Sequence, residues 1–295
     1  MKYLIELESR ADFPAPVREH HVQTRVAPWD DEWQRVTSYS FDIDPGAEPI
    51  RHHDGFGNPV DCIAVMGSHS TLSIRLLAAV ETLLHNPFDY QPIAAERELA
   101  WISDHLRQAP RLWDFILHRS ALTPNPASLA SDFKLPELMP GKPLIDQLQS
   151  AMHWVSRECD FDPENPAVAP RLAQLFETHR GSSSDLAHLL ITVVRGWGVP
   201  ARFAAGYVDP DFFEPDDDDE EPKLLMQGMR AWTDVLIPGA GWRGFDAAEG
   251  LVVNDTYVRV AIGRDANDTL MERSAFKGDL AEPERRFVLK VSRID

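Results

Sequence analysis

Residues 181–207 read GSSSDLAHLLITVVRGWGVPARFAAGY, and their spacing announces a helix with a defined start and stop. Leu186, Leu189, Leu190, Val193, Val194 and Trp197 fall at i, i+3, i+4, i+7, i+8 and i+11. One continuous apolar stripe at that period predicts a helix from about Asp185 to Trp197, packed against a core. Ser182, Ser183 and Ser184 precede it as N-cap candidates supported by Asp185, and Gly198-Val199-Pro200 stops it.

Downstream, RFAAGYV (202–208), RAWTDVLI (230–237), GWRGFD (241–246), TYVRVAIG (256–263) and RRFVLKVSRI (285–294) alternate like strands. Upstream, AAERELAWISDHLRQ (94–108), RLWDFILHRSAL (111–122) and PLIDQLQSAMHWVSREC (143–159) have helical spacing, with a Pro-rich connector at 123–143. The first 90 or so residues read as strands: HHVQTRVAP, QRVTSYSFDIDP, PVDCIAVM and STLSIRLLAAVETL. The run Asp54-Gly55-Phe56-Gly57-Asn58-Pro59 reads as a hairpin turn. His52 and His53 before it point to opposite strand faces, which opposes a shared metal. This order predicts an α+β protein, since alternating βα units are absent. Its expected parts are a β-rich region at 1–90, antiparallel and sandwich-like, a helical linker at 91–155 and an α+β core at 156–295.

The chain has 295 residues, 43% hydrophobic and 26% charged, which excludes a collagen-like or largely disordered protein. Cys62 and Cys159 form no metal or redox spacing and suggest a reducing compartment. No apolar run approaches the ~18 residues of a membrane span, so a cytoplasmic location is expected. A net charge of -18 opposes binding to nucleic acid and to anionic membranes. Residues 209–221, DPDFFEPDDDDEE, hold nine of the acidic residues and read as a solvated loop or an arm for a basic partner. No phosphate loop, dinucleotide-binding glycine pattern or zinc spacing is present, so no cofactor and no metal is expected.

Four segments together resemble the transglutaminase-like superfamily of bacterial cysteine enzymes. Gly181-Ser182-Ser183-Ser184-Asp185-Leu186-Ala187-His188 is similar to its G-x-C-x-D-[FL]-A-H segment, and Gly198 to Tyr207 to G-[LV]-P-A-R-[YF]-x-x-G-Y. Arg230-Ala231-Trp232 resembles H-A-W, and Pro238-Gly239 with Gly241-Trp242-Arg243-Gly244-Phe245-Asp246 resembles P-G and G-W-x-G-[FW]-D. The strand-rich first 90 residues and Arg259 to Asp265 look like regions that often flank this core. The resemblance implies a papain-like α+β core in which a helix N-terminus and a His hold a cysteine as thiolate, and an Asp orients the His.

Carried over position by position, the cysteine is Ser183, the His is Arg230 and the Asp is Asp246. A guanidinium cannot take a proton at neutral pH, and a serine hydroxyl needs a base beside it. The eleven His residues all lie at or before His188, which the wheel places opposite the apolar stripe; His179 is the other near candidate base. The expected role of Arg230 is an ion pair with Asp246 within hydrogen-bond reach. Trp232 and Trp242 are expected in the core or the cleft wall.

The resemblance thus implies a pseudoenzyme that acts as a binding or scaffolding subunit. Its implied partner is a protein or peptide, basic in character, in a peptide-modifying system with an ATP-grasp-type ligase or a helical companion. Two alternatives stand beside it: a serine-dependent amidohydrolase or acyltransferase with Ser183 as nucleophile, and a purely structural subunit with a filled cleft.

Overall fold

A computed structural model describes residues 1–129, 134–162, 172–209, 229–278 and 282–294. Its first strand, β1 (Lys2–Thr24), bends between Asp12 and Val17, and each arm joins a different set of neighbours. The other N-terminal strands are β2 (Gln34–Asp44), β3 (Ile50–His53), β4 (Pro59–Val65) and β5 (His69–Thr82). The first arm of β1 pairs with β5, which pairs in turn with β2; the second arm pairs with β4, which pairs with β3, all antiparallel. The expected turn closes the β3–β4 hairpin, with Asp54 Oδ1 accepting the N–H groups of Phe56 and Asn58. Tyr3, Ile5 and Leu7 point inward while Glu6 and Glu8 alternate outward, a period-2 signal that the sequence reading above passes over.

The helical stretch contains α1 (Ala95–Gln108), α2 (Asp114–Leu117) and α3 (Leu144–Glu158). Residues 111–122, read above as one helix, form only a 3-10 turn and the single turn of α2. The N-terminus of α3 has no side-chain cap of its own; Glu98 on α1 accepts the Leu144 N–H at 2.8 Å instead. Next come β6 (Asp160–Phe161), α4 (Leu172–Thr178), β7 (Arg180–Gly181) and α5 (Ser183–Gly196), with β6 and β7 pairing in parallel.

The core sheet is built from β8 (Ala201–Val208), β9 (Met229–Ile237), β10 (Gly241–Asp246), β11 (Leu251–Val252) and β12 (Tyr257–Gly263). Its order is β11-β10-β9-β8-β12, antiparallel throughout, and α5 lies against β9 and β8. The architecture is mixed α+β: an N-terminal β-rich region, few helices and a helix-on-sheet core.

The last two strands, β13 (Glu272–Lys277) and β14 (Glu284–Arg293), differ from the expected division of the chain. Residues 156–295 were read as one core, but β13 pairs with the second arm of β1 and β14 with the first. The reason lies in their alternation. Phe287, Leu289 and Val291 join a cluster with Tyr3, Ile5 and Leu7, while Arg286 and Lys290 face outward beside acidic partners. Tyr207, Val258 and Val260 of the core sheet enter the same cluster, so one apolar layer is shared by the two regions. Among the described residues, no helix is long and apolar enough to cross a membrane.

Candidate functional site

Ser182, not Ser183, caps α5. Its Oγ accepts the Asp185 N–H, and the Asp185 carboxylate accepts the Ser182 N–H at 2.8 Å, a reciprocal capping box. Burial pushes the Asp185 carboxyl above its usual range, against the hydrogen bonds from Ser182. Gly181 cannot carry a side chain here: a Cβ would lie 2.7 Å from Leu175 Cδ1 and 2.8 Å from Asp185 Cβ. Ser183 is thereby left as the first residue of the helix, half-buried and free of the capping role.

Two contacts dock α5 on β9. The Ala231 N–H donates to Ser183 Oγ at 3.1 Å, and Thr233 Oγ1 donates to the Ala187 carbonyl at 3.0 Å. The Ser183 hydroxyl therefore sits beside the Arg230–Ala231 peptide. Arg230, Ala231, Trp232 and Thr233 are all buried or nearly so, and Trp232 Nε1 donates to Asp234 Oδ1 at 2.9 Å. Trp242 lies at the edge of the same layer, under the Arg202 guanidinium at 4.0 Å.

The Arg230 side chain is 2% exposed. Its Nη2 donates to Glu249 Oε1 at 2.7 Å, and its guanidinium carbon lies 4.7 Å over the Phe161 ring. Phe161 is brought there by the β6–β7 pair, which places it beside Gly181 at the helix start. Asp246 Oδ2 is 3.8 Å from Arg230 Nε, close enough for an ion pair but too far for the expected hydrogen bond. The physical reason is competition for the carboxylate. Tyr257 O–H donates to Asp246 Oδ2 at 2.9 Å, and the Ala248 N–H donates to Oδ1 at 2.8 Å. Burial pushes the Asp246 carboxyl up, with the Arg230 charge pulling the other way. Glu249, Phe161 and Tyr257 are the residues that sequence reasoning missed.

Of the two candidate bases, His188 is sealed in the core and His179 is not. His188 is buried, stacked on Phe203 with ring centroids 4.7 Å apart, and its Nε2 accepts the Ala266 N–H at 3.1 Å. Burial holds its pKa down at about 3. His179 is exposed, and its Nδ1 is 2.8 Å from the Glu158 carbonyl. Cys159 is buried at the end of α3, where burial pushes its thiol up to about 12, the reverse of what a nucleophile needs. Cys62 lies in β4, its Sγ 3.8 Å from His52 Nδ1. Among the described residues, no three His, Cys, Asp or Glu side chains are grouped to hold a metal ion. The acidic run lies outside the described residues beyond Asp209. That residue is buried and accepts from Tyr3 O–H at 2.6 Å.

The arrangement resembles other proteins on three counts. A family model for the bacterial transglutaminase-like N-terminal region matches residues 3–81, and one for the transglutaminase-like superfamily core matches residues 136–247. An uncharacterized protein of Mycobacterium leprae is 22% identical over 268 residues, covering 90% of each chain. One of Mycobacterium tuberculosis is 24% identical over 246 residues, covering 80% of this chain and 74% of that one. Among solved structures, a candidate cysteine protease from Cytophaga hutchinsonii superposes with a TM-score of 0.72 at 19% identity. It spans all of this chain and 92% of its own, which shows a common fold. Both family models match in order, so residues 3–81 are similar to the N-terminal region and residues 136–247 to the core of transglutaminase-like proteins.

Proposed function

We propose that this protein is a transglutaminase-like pseudoenzyme that binds a partner and performs no acyl transfer. The observation that carries this reading is Arg230. By the motif resemblance it stands where the family has its His, and Glu249, Asp246 and Phe161 hold it inside the protein. A permanently protonated group in that place cannot accept a proton from Ser183. The Ser183 oxygen accepts a backbone N–H, so the helix start is kept as a structural joint between α5 and β9. The partner class follows from charge. Eight acidic residues within 211–221 favour a basic protein or peptide, such as a ligase of the ATP-grasp type in a peptide-modifying system.

The test is intact-mass analysis after exposure to a fluorophosphonate, on the full chain and on Ser183→Ala. No adduct on folded protein supports the pseudoenzyme. A stoichiometric adduct that Ser183→Ala removes overturns it, in favour of a serine-dependent amidohydrolase or acyltransferase. The partner class has its own arm: replacing Asp216 to Glu221 by Ser and Gly should abolish capture of basic partners at low salt. Unchanged capture defeats the docking role.

A further inference from the structure

Both arms of β1 contribute to one pocket that is open to solvent. Leu7 and Ser9 on the first arm, with Thr24 and Val26 around the end of the second, line a cavity of about 300 Å3. Ile74 of β5, Phe287 of β14, Leu270 and Met271 complete its apolar wall. Ser9 also marks the polar end, where its Oγ donates to Glu272 Oε2 at 3.1 Å and Glu272 is ion-paired with Arg285. Arg285 and Arg286, both exposed, stand at the mouth. Thr24 is 2% exposed, and its Oγ1 has no hydrogen-bond partner.

An apolar pocket left open to solvent is a candidate ligand site. A buried hydroxyl without a partner is rare. A cavity that takes benzene measures ~150 Å3, and ligand pockets begin near ~300 Å3, so this one has room for a ligand of about eight to eleven non-hydrogen atoms. The charges at its mouth answer each other: Glu272 with Arg285, and Arg286 with Glu284 at 2.9 Å. A carboxylate ligand would have to compete with Glu272, and an ammonium ligand with Arg285. A hydroxyl competes with neither.

We infer that the N-terminal β-rich region is a binding site for a small uncharged amphiphile, an apolar chain or ring ending in a hydroxyl group. The site lies on β1, β5, β13 and β14, apart from Ser183, and does not depend on whether the core is catalytic.

Octan-1-ol is the probe, titrated into the full chain by calorimetry beside octanoate and octylamine. Burial of its chain predicts 1:1 binding with a Kd below about 1 mM. Both charged analogues should bind at least tenfold more weakly. Val26→Phe fills the cavity and should abolish binding while leaving the protein folded; Leu7→Phe is the second filling variant should the first fail to fold. Three results overturn the inference. One is no octan-1-ol binding at about 2 mM, within its aqueous solubility. Another is tighter binding of a charged analogue than of the alcohol. The last is binding that survives a filled variant, which places the ligand elsewhere.

Discussion

A guanidinium only 2% exposed must have its charge answered inside the protein, and Arg230 is answered by Glu249 and Asp246. Arg230→Ala leaves Asp246 buried without its ion-pair partner and should cost about 3 kcal/mol of stability. Glu249 is 28% exposed, so Glu249→Gln should cost about 1 kcal/mol at most. Urea denaturation of both variants checks the pair, and a larger cost for Glu249→Gln would reverse this account. That Ser183, Arg230 and Asp246 lie close together was legible because each sits in a short motif of its own. Glu249 was not: it lies in the turn after β10, and only the folded strand turns it towards Arg230. Phe161 was equally hidden, since a two-residue strand carries no periodicity of its own and reaches the site only through pairing with Gly181.

The helix α5 shows what periodicity can and cannot give. Its apolar stripe, start and stop agree with the reading, but residues 185–195 are all buried, on both sides of the helix. The wheel placed His188 opposite the stripe, and it is opposite; Phe203 and Ala266 cover that side as well, a fact of tertiary packing that the helix's own sequence does not encode. This burial has a pH consequence. An imidazole in the unfolded chain takes its proton near pH 6.5, while the folded ring resists until about 3. The unfolded state therefore binds the proton first, and stability falls as pH drops below 6.5. At pH 5 this group alone should cost about 2 kcal/mol. His188→Gln keeps an acceptor for the Ala266 N–H but cannot titrate. Thermal melts from pH 7 to pH 5 should therefore fall less steeply for the variant than for the parent. Parallel curves would show that His188 is not the group responsible.

The whole molecule is tied together by the layer that Tyr3, Ile5 and Leu7 share with Phe287, Leu289, Tyr207, Val258 and Val260. Neither the β-rich region nor the core can lose its structure without exposing the other's apolar face. Calorimetry should record one unfolding transition, with matching van't Hoff and calorimetric enthalpies. Two resolved transitions would show that the layer is a docking contact between independent domains. The α+β class and the order of the two regions were legible from periodicity, but the return of β13 and β14 to β1 was not. Strand pairing across 248 residues or more leaves no local trace, and RRFVLKVSRI reads the same whichever sheet receives it. That pairing also sets a timetable for the chain on the ribosome. The first arm of β1 emerges early, with Tyr3, Ile5 and Leu7 in alternation, yet its partner β14 comes from residues 284–293. At ~5–20 residues per second, that edge waits roughly 14–58 s for the strand that covers it. During that interval it is an open template for another chain, and Glu6 and Glu8, facing outward along it, supply the charge that discourages such pairing.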